Sequence, residues 1–450
     1  MDNKIIFNME GFMKSRFIKS LEKIQNEMIL LSEEIYKSPE LGFKEYETNR
    51  KICNILDKYG VEYKNDIAIT GIVATHDSNK KGAHIGLLCE LDAVPTINHK
   101  FSNSSDQAAH TCGHYAQVGV MLGIFLAIKE SNILEELGGK ISFIATPAEE
   151  YCDFDYRNKL LEENKITYIS GKQEMLNIGI FDEIDCILSC HSMPPESEYE
   201  AELNSSLNGF LGKRIVFKGK SAHAGANPSA GINALNSATL AMNAISMLRE
   251  TFKEEDAIRV HYILNEGGTT VNSVPEEAKM DMYIRANTLD AILEVNKKID
   301  RALRAGAMAI GCDLEIKDTG GYLPLIQDKN LNNVVEVNLK EFIKNDKILR
   351  NCHSYASGDI GDLSYLLPTI QVGVNGFKGN IHGHSFKTDN TELAYILPMK
   401  YLGFSAIDLL LENGKLSKEI KNNFNSKLSI KDYKSLLKNL NKVKIHNMED

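Results

Sequence analysis

A chain of 450 residues, 43% hydrophobic and 25% charged, is long enough for two ordinary domains and has the make-up of a globular protein. Its formal net charge of -10 argues against a broad basic footprint for nucleic acid and against a basic membrane-binding face. Its longest apolar stretch, Gly119 to Ile128, is too short to span a bilayer, and Met1 to Gln25 lacks the order of a signal peptide, so a cytoplasmic location is expected.

The first predicted element is a helix. From Phe17 to Tyr36, the residues Ile18, Leu21, Ile24, Met28, Leu31 and Ile35 recur at helical spacing. The turn Ser38-Pro39-Glu40-Leu41-Gly42 ends it, and a second helix near Tyr46 to Tyr59 stops at Gly60. Short apolar runs follow, each succeeded by polar residues. Ile85 to Cys89 leads into Glu90-Leu91-Asp92, Ile141 to Ala145 into Pro147-Ala148-Glu149-Glu150, and Ile184 to Cys190 into His191. A helical stretch, Gly113 to Lys129, lies between the first two. This alternation predicts an α/β domain: a mostly parallel sheet with helices on both faces and a site beyond the carboxyl ends of its strands.

The pattern changes near Phe210. Strands are expected at Arg214 to Phe217, Ile258 to Leu264, Met280 to Ala286 and Leu314 to Lys317, with helices at Gly231 to Arg249 and Leu289 to Met308. That order is a small α+β unit with an antiparallel sheet. After about Leu325 the first style returns, with a helix at Asn330 to Lys344, a strand at Thr369 to Val374 and a helix at Thr391 to Leu411. The expected division is therefore one domain of residues 1–209 and 325–450, interrupted by an inserted domain of residues 210–324. The tail from Asn413 is rich in Lys, Asn and Ser, with a short helix expected at Tyr433 to Leu440.

The eight cysteines are scattered, as free buried thiols are in a long cytoplasmic chain. Cys112 stands out because it lies in His110-Thr111-Cys112-Gly113-His114. A thiolate and an imidazole two residues apart at a helix start can reach one divalent ion. A buried thiol beside a surface histidine has the same spelling. Of the adjacent carboxylates Glu149 and Glu150, one can ligate while the other takes a proton from water. An acidic pair at a helix start is the plainer alternative. His191 ends a strand before a Pro turn, and either histidine of His382-Gly383-His384 can ligate. Five candidate ligands from separate segments suffice for two ions.

Several motifs, in order over roughly Leu21 to Leu411, resemble the M20 metallopeptidase and amidohydrolase family. The similar branch is that of aminoacylase, hippurate hydrolase and aminobenzoyl-glutamate hydrolase. The motifs are Pro39-Glu40-Leu41-Gly42-Phe43, Glu90-Leu91-Asp92-Ala93-Val94-Pro95, the Cys112 and Glu149 segments, Gly219-Lys220-Ser221-Ala222-His223-Ala224-Gly225, Gly267-Gly268, Asn272-Ser273-Val274-Pro275, Arg285, Asp359-Ile360-Gly361-Asp362 and Gly383-His384-Ser385. The resemblance implies that Cys112, His114, Glu150, His191 and His384 hold two divalent metal ions per subunit, with Zn or Mn expected and Co or Ni also compatible. It implies Glu149 as general base, Asp92 as the residue that orients a ligand, His223 as oxyanion stabiliser, and Asn272 with Arg285 as the grip on a substrate carboxylate. Residues 210–324 would form a lid and a homodimer contact. The implied reaction is amide hydrolysis of small N-acyl or N-aminoacyl amino acids. A dipeptidase of free-amine substrates and a catalytically silent metal-binding subunit are the rivals. Two positions depart from the branch: Tyr115 and Gln117 replace the polar residue and the histidine often found there.

Overall fold

The computed structural model of the chain describes residues 3–447. In chain order, the strands of its two main sheets are β1 (Tyr63–Ile67), β2 (Gly71–Asp77), β3 (His84–Glu90), β4 (Lys140–Thr146), β5 (Cys186–Ser192), β6 (Ala201–Leu203), β7 (Gly209–Lys218), β8 (Arg259–Glu266), β9 (Glu277–Ala286), β10 (Asp313–Gly320), β11 (Ile348–Arg350), β12 (Thr369–Val374) and β13 (Val443–His446). The helices used below are α1 (Asn3–Tyr36), α2 (Tyr46–Lys58), α3 (His114–Glu130), α4 (Phe154–Glu162), α5 (Gly171–Asn177), α6 (Ala234–Leu248), α7 (Leu289–Ile310), α8 (Lys329–Leu339), α9 (Leu397–Asn423) and α10 (Ile430–Leu440).

Two compact units result. The first comprises Met1–Ser205, Gln327–Cys352 and Leu366–Ser426; the second comprises Ser206–Ile326, His353–Tyr365 and Lys427–Asp450.

The first unit is built on an eight-stranded sheet of order β1-β2-β4-β3-β5-β12-β6-β11. Its centre is parallel: β3 runs beside β4 and β5, and β5 beside β12. The edge is not, because β2 pairs antiparallel with both β1 and β4. The sequence reading did not anticipate β1 and β2. Helix α3 is apolar all round and buried from His114 to Ile128, as a helix without a polar face must be. It packs against α1, α9 and strands β3, β4 and β5. The expected helix ending at Leu411 continues as α9 to Asn423, across a non-helical kink at Leu411 to Gly414. The segment Glu392–Asn423 is long and apolar enough to cross a membrane, but 78% of its apolar window is buried inside the protein, as befits a core helix.

The second unit carries a five-stranded sheet of order β8-β9-β7-β10-β13, antiparallel throughout. Burial alternates residue by residue along β9, so one face of the sheet is covered. Helices α6 and α7 cover it, and their Ala238, Ala241, Ile299 and Leu303 meet Ile215, Phe217, Met280 and Ile284 of the sheet. Gly306 lets the two helices approach, since a Cβ there would lie 2.7 Å from the Ser237 carbonyl.

The expectation placed residues 413–450 in the first domain; the stretch to Ser426 is there, but from Lys427 on the chain groups with the second unit. Val443–His446 pairs with β10 as the outer strand, and the Tyr433 hydroxyl of α10 donates to Asp362 at 2.7 Å. Lysines on the strands fix this arrangement. Lys213 Nζ donates to Asp300 at 2.5 Å and also binds Asp318; Lys444 of β13 binds the same two carboxylates. The Lys213 side chain is wholly buried, whereas that of Lys444 is 30% exposed. Removing one partner of a buried pair costs about 3–5 kcal/mol, and less where water reaches the site. Lys213→Met is therefore expected to lower the urea midpoint of unfolding clearly more than Lys444→Met. Equal midpoints for the two variants would show that burial does not set the strength of this network.

Candidate metal centre

Three adjacent parallel strands, β4, β3 and β5, end side by side, and the candidate ligands follow from those ends. Glu90 closes β3 and Asp92 follows it. Glu149 and Glu150 follow β4. His191 lies within the last turn of β5. Helix α3 begins at His114, directly after Cys112 and Gly113. This is the crevice beyond the carboxyl ends of the strands where open α/β sheets place their sites.

The backbone around these residues is specialised. Gly113 caps α3 at φ 94°, and a Cβ there would sit 2.8 Å from Ser192 Cβ. Only glycine allows Cys112 and His114 to close against the end of β5. Ala148 adopts φ 52°, a left-handed conformation that costs energy for a residue with a Cβ. Glu45, fully buried, accepts the Ala148 N–H at 2.8 Å and the Thr70 hydroxyl at the other oxygen. Burial, with Asp92 nearby, pushes the Glu45 carboxyl up to about 8. Arg157 of α4 is buried beneath the same turn and donates to the carbonyls of Ile169, at 2.7 Å, and Glu150.

The side chains converge on two neighbouring points. Cys112 Sγ lies 3.4 Å from His191 Nε2. Glu150 Oε1 lies 3.2 Å from His382 Nε2. Cys112, Glu150 and His382 form one group of mutually close ligand atoms, and Cys112, His114 and His191 form another, so Cys112 belongs to both. His114, Glu149 and Glu150 form a third group, with Glu149 Oε2 4.0 Å from His114 Nε2.

The donor set fits cations. His114 Nδ1 is 2.8 Å from the Asp92 carbonyl, and His191 Nδ1 is 2.9 Å from the Ser192 carbonyl. A carbonyl only accepts, so both Nδ1 atoms carry hydrogen, and Nε2 of each ring is the atom turned into the cluster that can bind an ion. His114 Nε2 and Glu150 Oε1 are buried with no hydrogen-bond partner. Burial pushes the Cys112 thiol well up, with Glu150 beside it adding to the effect. A divalent ion displaces that proton outright. Ligands of one tetrahedral ion at roughly 2.0–2.3 Å stand about 3.3–3.7 Å apart, the scale of these spacings.

The residues named from the sequence fall out as follows. Cys112, His114, Glu149, Glu150 and His191 are together. Asp92 binds behind them: Oδ2 accepts the Glu150 N–H at 2.9 Å, and Oδ1 lies 3.4 Å from His114 Nδ1. His384, implied as a ligand by resemblance, is exposed and stands outside these groups; His382 is the one that meets Glu150. The reason lies in the backbone. His382 takes φ 59° and donates its N–H to Thr111, while turns at Asn380–Gly383 and Gly383–Phe386 carry His384 elsewhere. His223, Asn272 and Arg285 belong to the second unit. His223 is exposed, bridges to Ser273, and accepts the N–H groups of Gly225 and Ala226 at Nδ1. Arg285 donates to Ser357 at 3.0 Å and lies over the Phe210 ring. Asn272 is exposed, and its carbonyl accepts the Ala224 N–H.

Comparison with known proteins agrees with this architecture. Residues 205–309 match the family model of the M20 peptidase dimerisation domain. The human Xaa-Arg dipeptidase is 26% identical over 448 residues, covering 92% of this chain and 93% of its own length. The N-acetylcysteine deacetylase of Bacillus subtilis is 26% identical over 67% of this chain and 76% of its own. The chain is similar, over most of its length, to peptidases and amidohydrolases of the M20 family. It is thus a metal-dependent hydrolase that uses divalent ions. The fold also matches a dinuclear metal binding M20 peptidase from Bacillus subtilis, with a TM-score of 0.65, 20% identity, and coverage of 86% of this chain and 99% of that one.

Both unusual positions of this chain have a structural account. Tyr115 is buried away from the ligands, against Tyr36 and with its hydroxyl 2.8 Å from Thr388. Gln117 turns inward and pairs with Glu90, the first residue of the Glu90-Leu91-Asp92 motif.

Metal titration of two variants separates the histidines: His382→Ala is expected to lose about tenfold or more in affinity for one ion, and His384→Ala to titrate as the parent does. The reverse order would restore His384 as the ligand. A second outcome concerns Glu45. In the folded chain it keeps its proton to about pH 8, whereas the unfolded chain releases it near 4.5. Between those values the folded state binds more protons, so this group costs stability as pH rises, up to ~1.4 kcal/mol per unit. Glu45→Gln removes that term. Its melting temperature relative to the parent should rise from pH 5 to pH 8, and a constant difference would refute the assignment.

Proposed function

We propose that this chain hydrolyses the amide bond of small N-acyl or N-aminoacyl amino acids, with Glu149 as general base. The observation that carries the reading is the pair at the end of β4. Glu150 shares one group of ligand atoms with Cys112 and His382, while its neighbour Glu149 joins His114 and Glu150 but neither Cys112 group. In this reading Glu150 ligates and Glu149 moves the proton.

Cys112, His114, Glu150, His191 and His382 would hold two divalent ions, which when bound supply Lewis acidity and lower the pKa of water. A thiolate ligand favours Zn; the mixed set also suits Mn, Co or Ni. Glu149 takes the proton of the attacking water at a carboxylate oxygen and returns it to the leaving amine nitrogen. His223 donates to the tetrahedral oxyanion. Its Nδ1 accepts backbone N–H groups, which leaves Nε2–H of the neutral ring as the donor. Arg285, a planar fork, and Asn272 grip the substrate carboxylate. A homodimer formed through residues 210–324 and a cytoplasmic location complete the proposal.

The rival reading is a dipeptidase of free-amine substrates. It is supported by the full-length likeness to a protein named Xaa-Arg dipeptidase. A panel of N-acetyl, N-benzoyl, aminobenzoyl and aminoacyl conjugates of several amino acids, Arg included, decides between them. Turnover confined to aminoacyl members would establish the dipeptidase; turnover of acyl members would establish the aminoacylase. Glu149→Gln is expected to lower kcat by a factor on the order of 10²–10⁴ with metal content unchanged. Near-normal turnover by the metal-loaded variant would end the general-base assignment.

A further inference from the structure

A second carboxylate meets His114: Glu90, to which the motif reading assigned no role. Glu90 Oε2 lies 3.3 Å from His114 Nε2, and both side chains are buried. His114 donates Nδ1–H to the Asp92 carbonyl, so Nε2 is the ring atom left to bind an ion. Ligand atoms of one ion stand about 3.3–3.7 Å apart, and the contact with Glu90 has that spacing. His114 Nε2 has no hydrogen-bond partner, so the contact is not an aligned hydrogen bond to Glu90.

Glu90 is held in place from both sides. Its Oε1 accepts from Lys172 Nζ at 2.7 Å, and the Lys172 side chain is wholly buried. Its Oε2 accepts from Gln117 Nε2 at 2.7 Å, and its own N–H is returned to Gln117 Oε1 at 3.1 Å. A carboxylate oxygen has two lone-pair sites. Gln117 takes one on Oε2, and the other is directed toward the point shared with His114. The arrangement has a clear physical logic. Lys172 stabilises the ionised carboxylate deep in the protein, and Gln117 fixes its rotation so that one oxygen faces the metal centre.

We propose that Glu90 supplies a further oxygen to the ion held by His114, with Lys172 and Gln117 as the residues that orient it. The inference rests on the reading of His114 as a metal ligand. It also accounts for Gln117: a side chain that both donates and accepts can clamp the carboxyl and the backbone of one residue at once.

The test compares the full-length parent with Glu90→Gln and with the double variant Glu90→Gln/Lys172→Met. The double variant replaces both charges by neutral groups of similar length, so the buried charge of Lys172 is removed together with that of Glu90. Calorimetric titration with Mn(II), and the visible spectrum of Co(II)-loaded protein, are the readouts. The expected result is about tenfold or greater loss of affinity for one of two ions in the double variant, with an altered Co(II) spectrum and partial recovery in Glu90→Asp. A double variant that binds two ions as the parent does, with an unchanged spectrum, would overturn the assignment of Glu90 while leaving that of His114 intact. A parent that binds no ion, or a His114→Ala variant that binds two as tightly, would overturn both.

Discussion

Two hydrogen bonds from imidazole to the backbone carry the site. His114 and His191 each donate Nδ1–H to a carbonyl, of Asp92 and of Ser192, and each therefore turns Nε2 into the cluster. Those carbonyls lie just past β3 and at the end of β5, so the tautomers are set by the sheet itself. Everything else at the centre depends on that orientation. With Nδ1 free, either ring could rotate or donate inward, and the acids gathered around it would find a proton instead of a cation.

The price of such a cluster is the burial of many polar groups, and the fold gives several of them specific partners. Asp92 accepts the Glu150 N–H, Glu45 accepts the Ala148 N–H, and Arg157 takes the carbonyls of Glu150 and Ile169. Lys172 and Gln117 do the same for Glu90. The strained turn at Ala148 and the left-handed Gly113 stand where the strand ends are narrowest. Strain at these positions is tolerated because the surrounding hydrogen bonds over-determine the backbone.

The two units divide the labour in their packing as well. The first surrounds a helix with no polar face, which fixes α3 and hence the direction of His114 from its first turn. The second is a sheet covered on one face by two helices, tied at its edge by lysines from β7 and β13 that share two aspartates.

The sequence by itself determined the periodicities and the order of motifs. Helical spacing foretold α1, α2, α3, α6 and α7, and apolar runs foretold the central strands, because these signals are local. The motif order placed Glu149 and Glu150 after a strand, His191 at a strand's end, and Cys112 with His114 at a helix start, because each stands beside a local signal. Tertiary structure decided the rest. The short edge strands β1 and β2 have too little apolar periodicity to announce themselves, and β13 is a strand only because β10 offers it an open edge. That His382 rather than His384 meets Glu150 turns on a backbone bend no spacing encodes. Glu90, Gln117 and Lys172 are far apart in the chain and ordinary in their local setting. Only folding brings them within 2.7 Å contacts, where burial makes their charges matter.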